Sequence, residues 1–381
     1  MGLGRDRDTT GRFHVKQTAP RALEFLIHSL HALEAEHLLR TRPSPPLKGV
    51  VSFCSNDYLG LADRHVSGLS GCGASRLVAG ERDSHKALET TVAQWLGMDS
   101  ALAFSSGYAA NVGLLSALVG RDDTIVSDAL NHASIIDGAR LSRGNIVVVP
   151  HLDTVAVEQA LARPREGRAW VVTESYFSMD ADSPDVGTLR RLCDRAGAAL
   201  VIDEAHALGV LGPGGRGVCA EAGVVPDVLI GTFGKAFGAS GAFVAGCEPL
   251  TAWLWNRARS FVFSTGISPV VADAAREGVI TARDQEDLRA HVLALTQRLR
   301  SGLQTRGVHP IGYGHVVPWV LGQSEAALAM AQSLQSFGFH AQAIRPPTVP
   351  QGTARIRLTV TASHRNDDID RLLDTIALCT V

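Results

Sequence analysis

Val228-Leu229-Ile230-Gly231-Thr232-Phe233-Gly234-Lys235-Ala236-Phe237-Gly238 is the stretch that decides how this chain folds. Its first four residues form an apolar run with no polar alternation, as expected of a strand covered on both faces. It then breaks into a Gly/Thr turn that carries a lysine between glycines. Similar short runs flank it: Ala101–Phe104, Thr124–Val126, Ile146–Val149, Trp170–Thr173 and Ala199–Ile202 before it, Ala242–Ala245 after it. Helical patterns separate most of them, among them the stretch with Leu88, Val92, Trp95 and Leu96, a small-residue segment from Tyr108, and Val186–Ala196. Alternation of this kind predicts an α/β fold, a mostly parallel sheet with helices on both faces.

The rhythm differs at both ends. Residues 1–48 read as an N-terminal arm, with a helical pattern over Ala22–Leu39 that stops near Pro43, Pro45 and Pro46. His28, His31 and His37 fall on it and read as a solvated helix face. Beyond 265 come a long amphipathic helical region (270–306), a strand over Val316–Leu321, a helix over Glu325–Phe337, a strand over Arg355–Val360 and a last helix over 366–378. The expected division is an arm (1–48), a large domain (49–265) and a smaller α+β C-terminal domain (266–381).

The 381 residues carry 36 basic and 38 acidic groups, a net charge of −2, so no basic face is implied and nucleic acid is not an expected partner. The start mixes Arg and Asp without an apolar segment, unlike a secretory signal, and no stretch nears the length of a membrane span. Cys54, Cys72, Cys193, Cys219, Cys247 and Cys379 occur singly, with no C-x-x-C pair and no zinc spacing. Reduced thiols and a cytoplasmic location are the expectation, with no metal.

In an open α/β sheet, ligands bind beyond the carboxyl ends of the strands. Four such ends carry polar residues. Ser105-Ser106-Gly107-Tyr108 follows the first run; it is either an ordinary strand–helix turn or a cradle of backbone N–H groups for an anion. Asp203-Glu204-Ala205-His206 follows Ala199–Ile202; Asp203 is either a helix cap or a carboxylate awaiting a positive partner, which a protonated pyridine nitrogen supplies. Lys235 can form a Schiff base with an aldehyde, and Thr232 can hydrogen-bond a phosphate. Asn131-His132-Ala133-Ser134 places an imidazole that either packs in the protein or stacks on an aromatic cofactor. An anion cradle, an acid for a ring nitrogen, a Schiff-base lysine and a stacking histidine on one sheet edge are together what pyridoxal phosphate needs.

Two rival motifs fail. The Lys235 turn is not a P-loop, because Ala236 follows the lysine and Leu229 stands where the first glycine belongs. Gly212-Pro213-Gly214-Gly215-Arg216-Gly217 has dinucleotide-motif spacing, but it follows no strand directly and contains a proline.

The motifs around Asp203 and Lys235 resemble those of the α-oxoamine synthases, fold-type I pyridoxal-phosphate enzymes. So do Ser55-Asn56-Asp57-Tyr58-Leu59-Gly60, Ser106-Gly107-Tyr108-Ala109-Ala110-Asn111, Asn131-His132-Ala133-Ser134 and Phe177-Ser178-Met179-Asp180. The segment from Ala343 to Thr359, with Arg345-Pro346-Pro347-Thr348, is most like the biotin-pathway branch, whose members condense L-alanine with a pimeloyl thioester and lose carbon dioxide. The resemblance implies a homodimeric acyltransferase with its site at the interface. It implies that Lys235 holds the cofactor, Asp203 pairs with its ring nitrogen, His132 stacks on the ring, and His206 and Ser178 approach its phenolic oxygen. Ser106, Gly107, Tyr108 and Thr232 would hold the phosphate, Thr265 reaching it from a partner subunit. Arg357 would bind the amino-acid carboxylate, with Asn56 and Thr348 near the substrate.

Three readings stand beside this one: a sister synthase using glycine or serine with another acyl-CoA, a different pyridoxal-phosphate class such as an aminotransferase or desulfurase, which would release no thiol from an acyl thioester, and a non-catalytic regulator built on the same fold. The donor thioester, coenzyme A or a carrier protein, is left open. The sequence departs from the family where Ala207-Leu208 replaces a frequent Gly-Thr, which affects either packing beside the ring or acyl-chain access. The linker before Ser55 looks shorter than usual. A family arginine near the end of the arm aligns with either Arg40 or Arg42.

Overall fold

The computed structural model describes residues 20–36, 38–40 and 49–379; His37 and Arg42 lie outside the described residues. The chain begins with α1 (Phe25–Ala35) and β1 (Val51–Ser52). It then runs α2 (Asp83–Leu96), β2 (Ser100–Phe104), α3 (Gly107–Leu118), β3 (Thr124–Asp128), α4 (Ala133–Ser142), β4 (Asn145–Val149), α5 (Thr154–Leu161), β5 (Ala169–Glu174), α6 (Val186–Ala196), β6 (Ala199–Asp203), α7 (Gly217–Glu221), β7 (Val228–Thr232) and β8 (Ala242–Gly246). Seven of these strands form one sheet in the order β2-β8-β7-β6-β5-β3-β4, in which β8 alone runs against the rest.

Strand alternation sorts the apolar side chains to two faces. Val171, Leu200 and Ile202 join a core with Leu88, Val92 and Trp95 of α2 and Leu189 of α6. Their neighbours Trp170, Val172 and Val201 join another core with Leu114 and Leu115 of α3 and Ile135 of α4. Because both faces are covered, β5, β7 and β8 are buried along their whole length, which is why the runs lack alternation. Helices are capped in the usual way: Ser106, Asp153 and Asp185 accept backbone N–H groups at the starts of α3, α5 and α6.

The chain continues as α8 (Glu248–Arg257), α9 (Arg259–Val262), α10 (Pro269–Asp284), α11 (Glu286–Thr305), β9 (Val316–Gly322), α12 (Ser324–Ser336), β10 (Phe339–His340), β11 (Gln342–Ile344), β12 (Ala354–Thr359) and α13 (Asn366–Cys379). A three-stranded antiparallel sheet, β11-β12-β9, packs Val317, Ile356 and Leu358 against Leu299, Leu334, Ile369 and Ile376. The alternate residues of β12, Arg355 and Arg357, reach the loop after β5 instead.

The helical region expected over 270–306 is two helices, broken at Gln285, whose ψ of 79° leaves helical space. The arm helix is shorter than its pattern, preceded by a 3₁₀ turn over Arg21–Leu23. Strands β3, β5, β6 and β7 each extend to a polar residue, Asp128, Glu174, Asp203 and Thr232, past where apolar patterning stops. Among the described residues, no helix is long and apolar enough to cross a membrane.

The turn after Lys235 needs a glycine. Gly238 has φ +60°, and a Cβ there would sit 2.3 Å from the Leu61 carbonyl carbon. Gly97, the left-handed cap of α2 at φ +69°, has nothing within 4 Å of the same position. Gly97→Ala should therefore cost about 1 kcal/mol of stability and Gly238→Ala at least ~2 kcal/mol, read by denaturant unfolding. Equal losses would contradict the close approach.

Candidate active site

Parallel strands bring their carboxyl ends to one edge of the sheet, and the polar ends of β5 and β6 are paired there: Glu174 lies opposite Asp203 in register. The turn after β7 brings Lys235 beside both. Burial is the largest influence on its amine and drives its pKa below the ordinary lysine range; the charge of Arg357 acts in the same sense, while Asp203 and Glu174 oppose them. Glu174 is driven the other way, above the ordinary carboxylate range, first by burial and then by Asp203.

Asp203 is held by two donors. Asn111 Nδ2 donates to Oδ2 at 2.8 Å and the Ala205 N–H to Oδ1 at 2.9 Å. The same Asn111 amide donates to Ser134 Oγ at 3.0 Å. Ser134 lies 2.8 Å from His132 Nδ1 through its hydroxyl and donates its N–H to that nitrogen at 3.3 Å. Since Nδ1 accepts, the neutral ring carries its proton on Nε2. The His132 pKa is lowered, by burial first and then by Lys235, against the pull of Asp203. The backbone N–H of His132 donates to Glu174 Oε1 at 2.8 Å, which closes the circuit to β5.

On the other side of the lysine, His206 Nδ1 is 2.7 Å from the buried Tyr58 hydroxyl. Burial, then the charges of Lys235 and Arg357, depress the His206 pKa well below its usual range, while burial raises the phenol to about 12. Both groups are therefore neutral, and the phenol hydroxyl lies between His206 Nδ1 and Asn56 Oδ1, 3.4 Å away. Arg357 donates from Nε to the Ser178 carbonyl at 2.7 Å and from Nη1 and Nη2 to Asn56 Oδ1 at 3.1 and 3.0 Å.

The first N–H groups of α3, on Gly107 and Tyr108, face past the helix end. A Cβ at Gly107 would meet nothing within 4 Å. Ser106 caps the helix by accepting from Ala109 N–H at 3.1 Å, and the Tyr108 phenol donates to Asp137. Thr232 Oγ1 donates to the Gly241 carbonyl at 3.0 Å and accepts from Gly234 N–H at 3.2 Å, bracing the lysine turn. Thr265 is exposed and lines a hollow with Arg76, Phe104 and Ser105. Thr348 lies away from the lysine cluster, past the end of β11, where its hydroxyl accepts from Arg40 Nη2 at 3.0 Å. Ala207 and Leu208 are fully buried, and Leu208 packs against Gly231 of β7.

The helix end, the Asp203 carboxylate, the half-buried lysine amine and the imidazole at His132 fit the phosphate, ring nitrogen, aldehyde and ring face of pyridoxal phosphate. Three contributors are not marked by sequence pattern: Glu174 simply follows an apolar run, and Asn111 and Tyr58 lie inside family-like motifs with no spacing that assigns them a role. Glu174 meets Asp203 only through strand pairing, which the sequence does not display.

A family model of class I and II aminotransferases matches residues 48–376. The 8-amino-7-oxononanoate synthase of Anaeromyxobacter dehalogenans (strain 2CP-1 / ATCC BAA-258) is 44% identical over 379 residues, covering 93% of this chain and 95% of that protein. The protein of the same name from Paracidovorax citrulli is 42% identical over 390 residues, covering 94% and 95%. Among solved structures, a serine palmitoyltransferase from S. paucimobilis with a bound PLP–myriocin aldimine aligns at TM-score 0.86 and 26% identity, over 94% of this chain and 97% of that one. A Francisella tularensis 8-amino-7-oxononanoate synthase shares the fold at TM-score 0.74 and 23% identity, over 87% and 98%.

The amine at Lys235 is open to a direct test. Competitive acetylation of the cofactor-free protein across a pH series should give Lys235 a midpoint below the ordinary lysine value of about 10.4. Asp203→Asn should move it lower still, because that carboxylate favours the charged amine. A midpoint at or above the ordinary value would contradict the burial.

Proposed function

This chain belongs to the 8-amino-7-oxononanoate synthases, pyridoxal-phosphate-dependent α-oxoamine synthases of fold type I in biotin biosynthesis, and from that premise we propose that it condenses L-alanine with a pimeloyl thioester to give 8-amino-7-oxononanoate, carbon dioxide and free thiol. The observation that carries the proposal is the Arg357 guanidinium set against the lysine cluster: it donates to Asn56 Oδ1, which the Tyr58 hydroxyl bonded to His206 also reaches, and its charge acts on the Lys235 amine. A carboxylate binder beside a Schiff-base lysine is what an α-amino acid requires.

The bound cofactor supplies an electron sink for charge left on the α-carbon. Everything else is done by side chains. Arg357 binds the alanine carboxylate as a fork. Its Nη groups rest on the neutral amide oxygen of Asn56, a weaker acceptor that yields to a carboxylate. Lys235, with an amine lowered toward neutrality, takes the α-proton and later returns one to the same carbon. Asp203 holds a ring-nitrogen proton, with Asn111 and the Ala205 N–H keeping the carboxylate in place. His132 Nε2–H donates to the thioester oxygen as charge builds there. A carbon–carbon bond forms to the acyl carbonyl, the carbon–sulfur bond breaks, and the thiolate takes a proton. The carboxylate then leaves Arg357 as carbon dioxide.

Arg40 favours an acyl chain with an anionic far end. It bonds Thr348, and its charge bears on Arg345. Two guanidinium groups suit a terminal carboxylate better than a plain fatty chain. Ser106, Gly107, Tyr108 and Thr232 would hold the phosphate, and His206 and Ser178 the phenolic oxygen, in a homodimer where Thr265 serves the partner's site. We propose a cytoplasmic location.

Alanine with pimeloyl-CoA should release carbon dioxide and thiol in equal amounts, and Arg357→Lys should raise the alanine KM roughly 10- to 100-fold. Faster turnover of glycine or serine with another thioester would move the chain to a sister activity. Binding of pyridoxal phosphate without any thiol release would favour a non-catalytic role.

A further inference from the structure

His151 follows β4 and lies between two carboxylates. Its Nδ1 is 2.8 Å from Asp128 Oδ1 at the end of β3, and its Nε2 is 3.2 Å from Asp182 Oδ2 in the loop after β5. A carboxylate only accepts, so a ring meeting one through each nitrogen donates from both and is an imidazolium. Burial works against that charge, but Asp128 and Asp182 outweigh it and raise the pKa to about 10. Asp128 is itself fixed, accepting from the N–H groups of Leu130 at 2.8 Å and Leu152 at 2.9 Å.

The other carboxylate belongs to a tight turn. Phe177 N–H donates to the Asp182 carbonyl and Ala181 N–H to the Phe177 carbonyl, at 2.9 and 2.8 Å. Ala181 sits at φ +56°, a left-handed conformation that an alanine adopts only under restraint. His151 grips the turn at both ends, since it bonds Asp182 and meets the Phe177 ring edge-on at 4.5 Å. From the far side the turn holds arginines. The Ser178 carbonyl takes Arg357 Nε at 2.7 Å, and the Met179 carbonyl and Asp180 carboxylate take Arg355 at 2.8 and 2.7 Å.

We propose that His151 is a positioning residue for the amino-acid carboxylate: it fixes the 177–182 turn, and the turn aims the Arg357 guanidinium through the Ser178 carbonyl. This rests on the assignment of Arg357 to that carboxylate. The two bonds meet one short turn at Asp182 and at Ser178, and its internal hydrogen bonds carry a displacement at Asp182 to the Ser178 carbonyl.

The test uses the holoenzyme of wild type, His151→Gln, Asp182→Asn, Arg357→Lys and the His151→Gln/Arg357→Lys double variant. Alanine affinity is read by absorption titration, thioester KM by turnover, and the turn by amide hydrogen exchange over residues 176–183. His151→Gln and Asp182→Asn should each weaken alanine about tenfold, leave the thioester KM within about twofold, and speed exchange in the turn. In the Arg357→Lys background, His151→Gln should change alanine affinity by less than about twofold. Unchanged alanine affinity with a lowered Tm would make His151 merely structural and overturn the proposal, as would a tenfold loss in both backgrounds. If Arg357→Lys alone leaves alanine binding intact, the assignment of Arg357 fails first. Should His151→Gln not fold, Asp182→Asn decides the matter on the same readouts.

Discussion

A partly buried lysine amine beside two strand-end carboxylates is the constraint that the rest of this molecule serves. A buried ammonium is costly, and a buried carboxylate equally so. Both carboxylates lower that cost for Lys235 and Lys235 lowers it for Glu174, but Asp203 adds to it at Glu174, and the balance leaves the amine below and Glu174 above their ordinary ranges. Only parallel neighbours can deliver this arrangement, because only they end on the same edge of the sheet. β5 and β6 are such neighbours, and β7 beside them turns into the lysine.

The strands and most helices were legible because both sheet faces are covered, which imposes unbroken apolar runs. The ends of those strands were less so. Apolar patterning stops at Thr173 and Ile202, whereas the ladder continues to Glu174 and Asp203, since backbone pairing does not depend on side-chain polarity. Lys235, Asp203, His132 and His206 were visible as polar residues after apolar runs, and the structure brings these four together. Glu174, Asn111 and Tyr58 were not singled out, because each acts only through a partner distant in sequence: His132, Asp203 and His206. The replacement Ala207-Leu208 turns out to fill the space against Gly231, a packing role.

The small sheet depends on the same edge. β12 divides its residues by alternation, with Ile356 and Leu358 in its own core and Arg355 and Arg357 toward the large sheet. β12 therefore meets the loop that follows β5 through polar contacts, while Val316 of β9 joins the apolar core of the large sheet. One short turn holds both arginines, and His151 ties that turn to β3. Of the two arm arginines open in the sequence, Arg40 reaches Thr348 beside this sheet.

The chain has four lysines, Lys16, Lys48, Lys86 and Lys235, so the cofactor-bearing amine can be assigned chemically. Borohydride reduction of the holoenzyme, followed by proteolysis and mass measurement, should find the reduced pyridoxal-phosphate adduct on the peptide containing Lys235 and on no other. An adduct on Lys86 or in the arm, or a Lys235 peptide left unmodified, would contradict the role given to the buried amine.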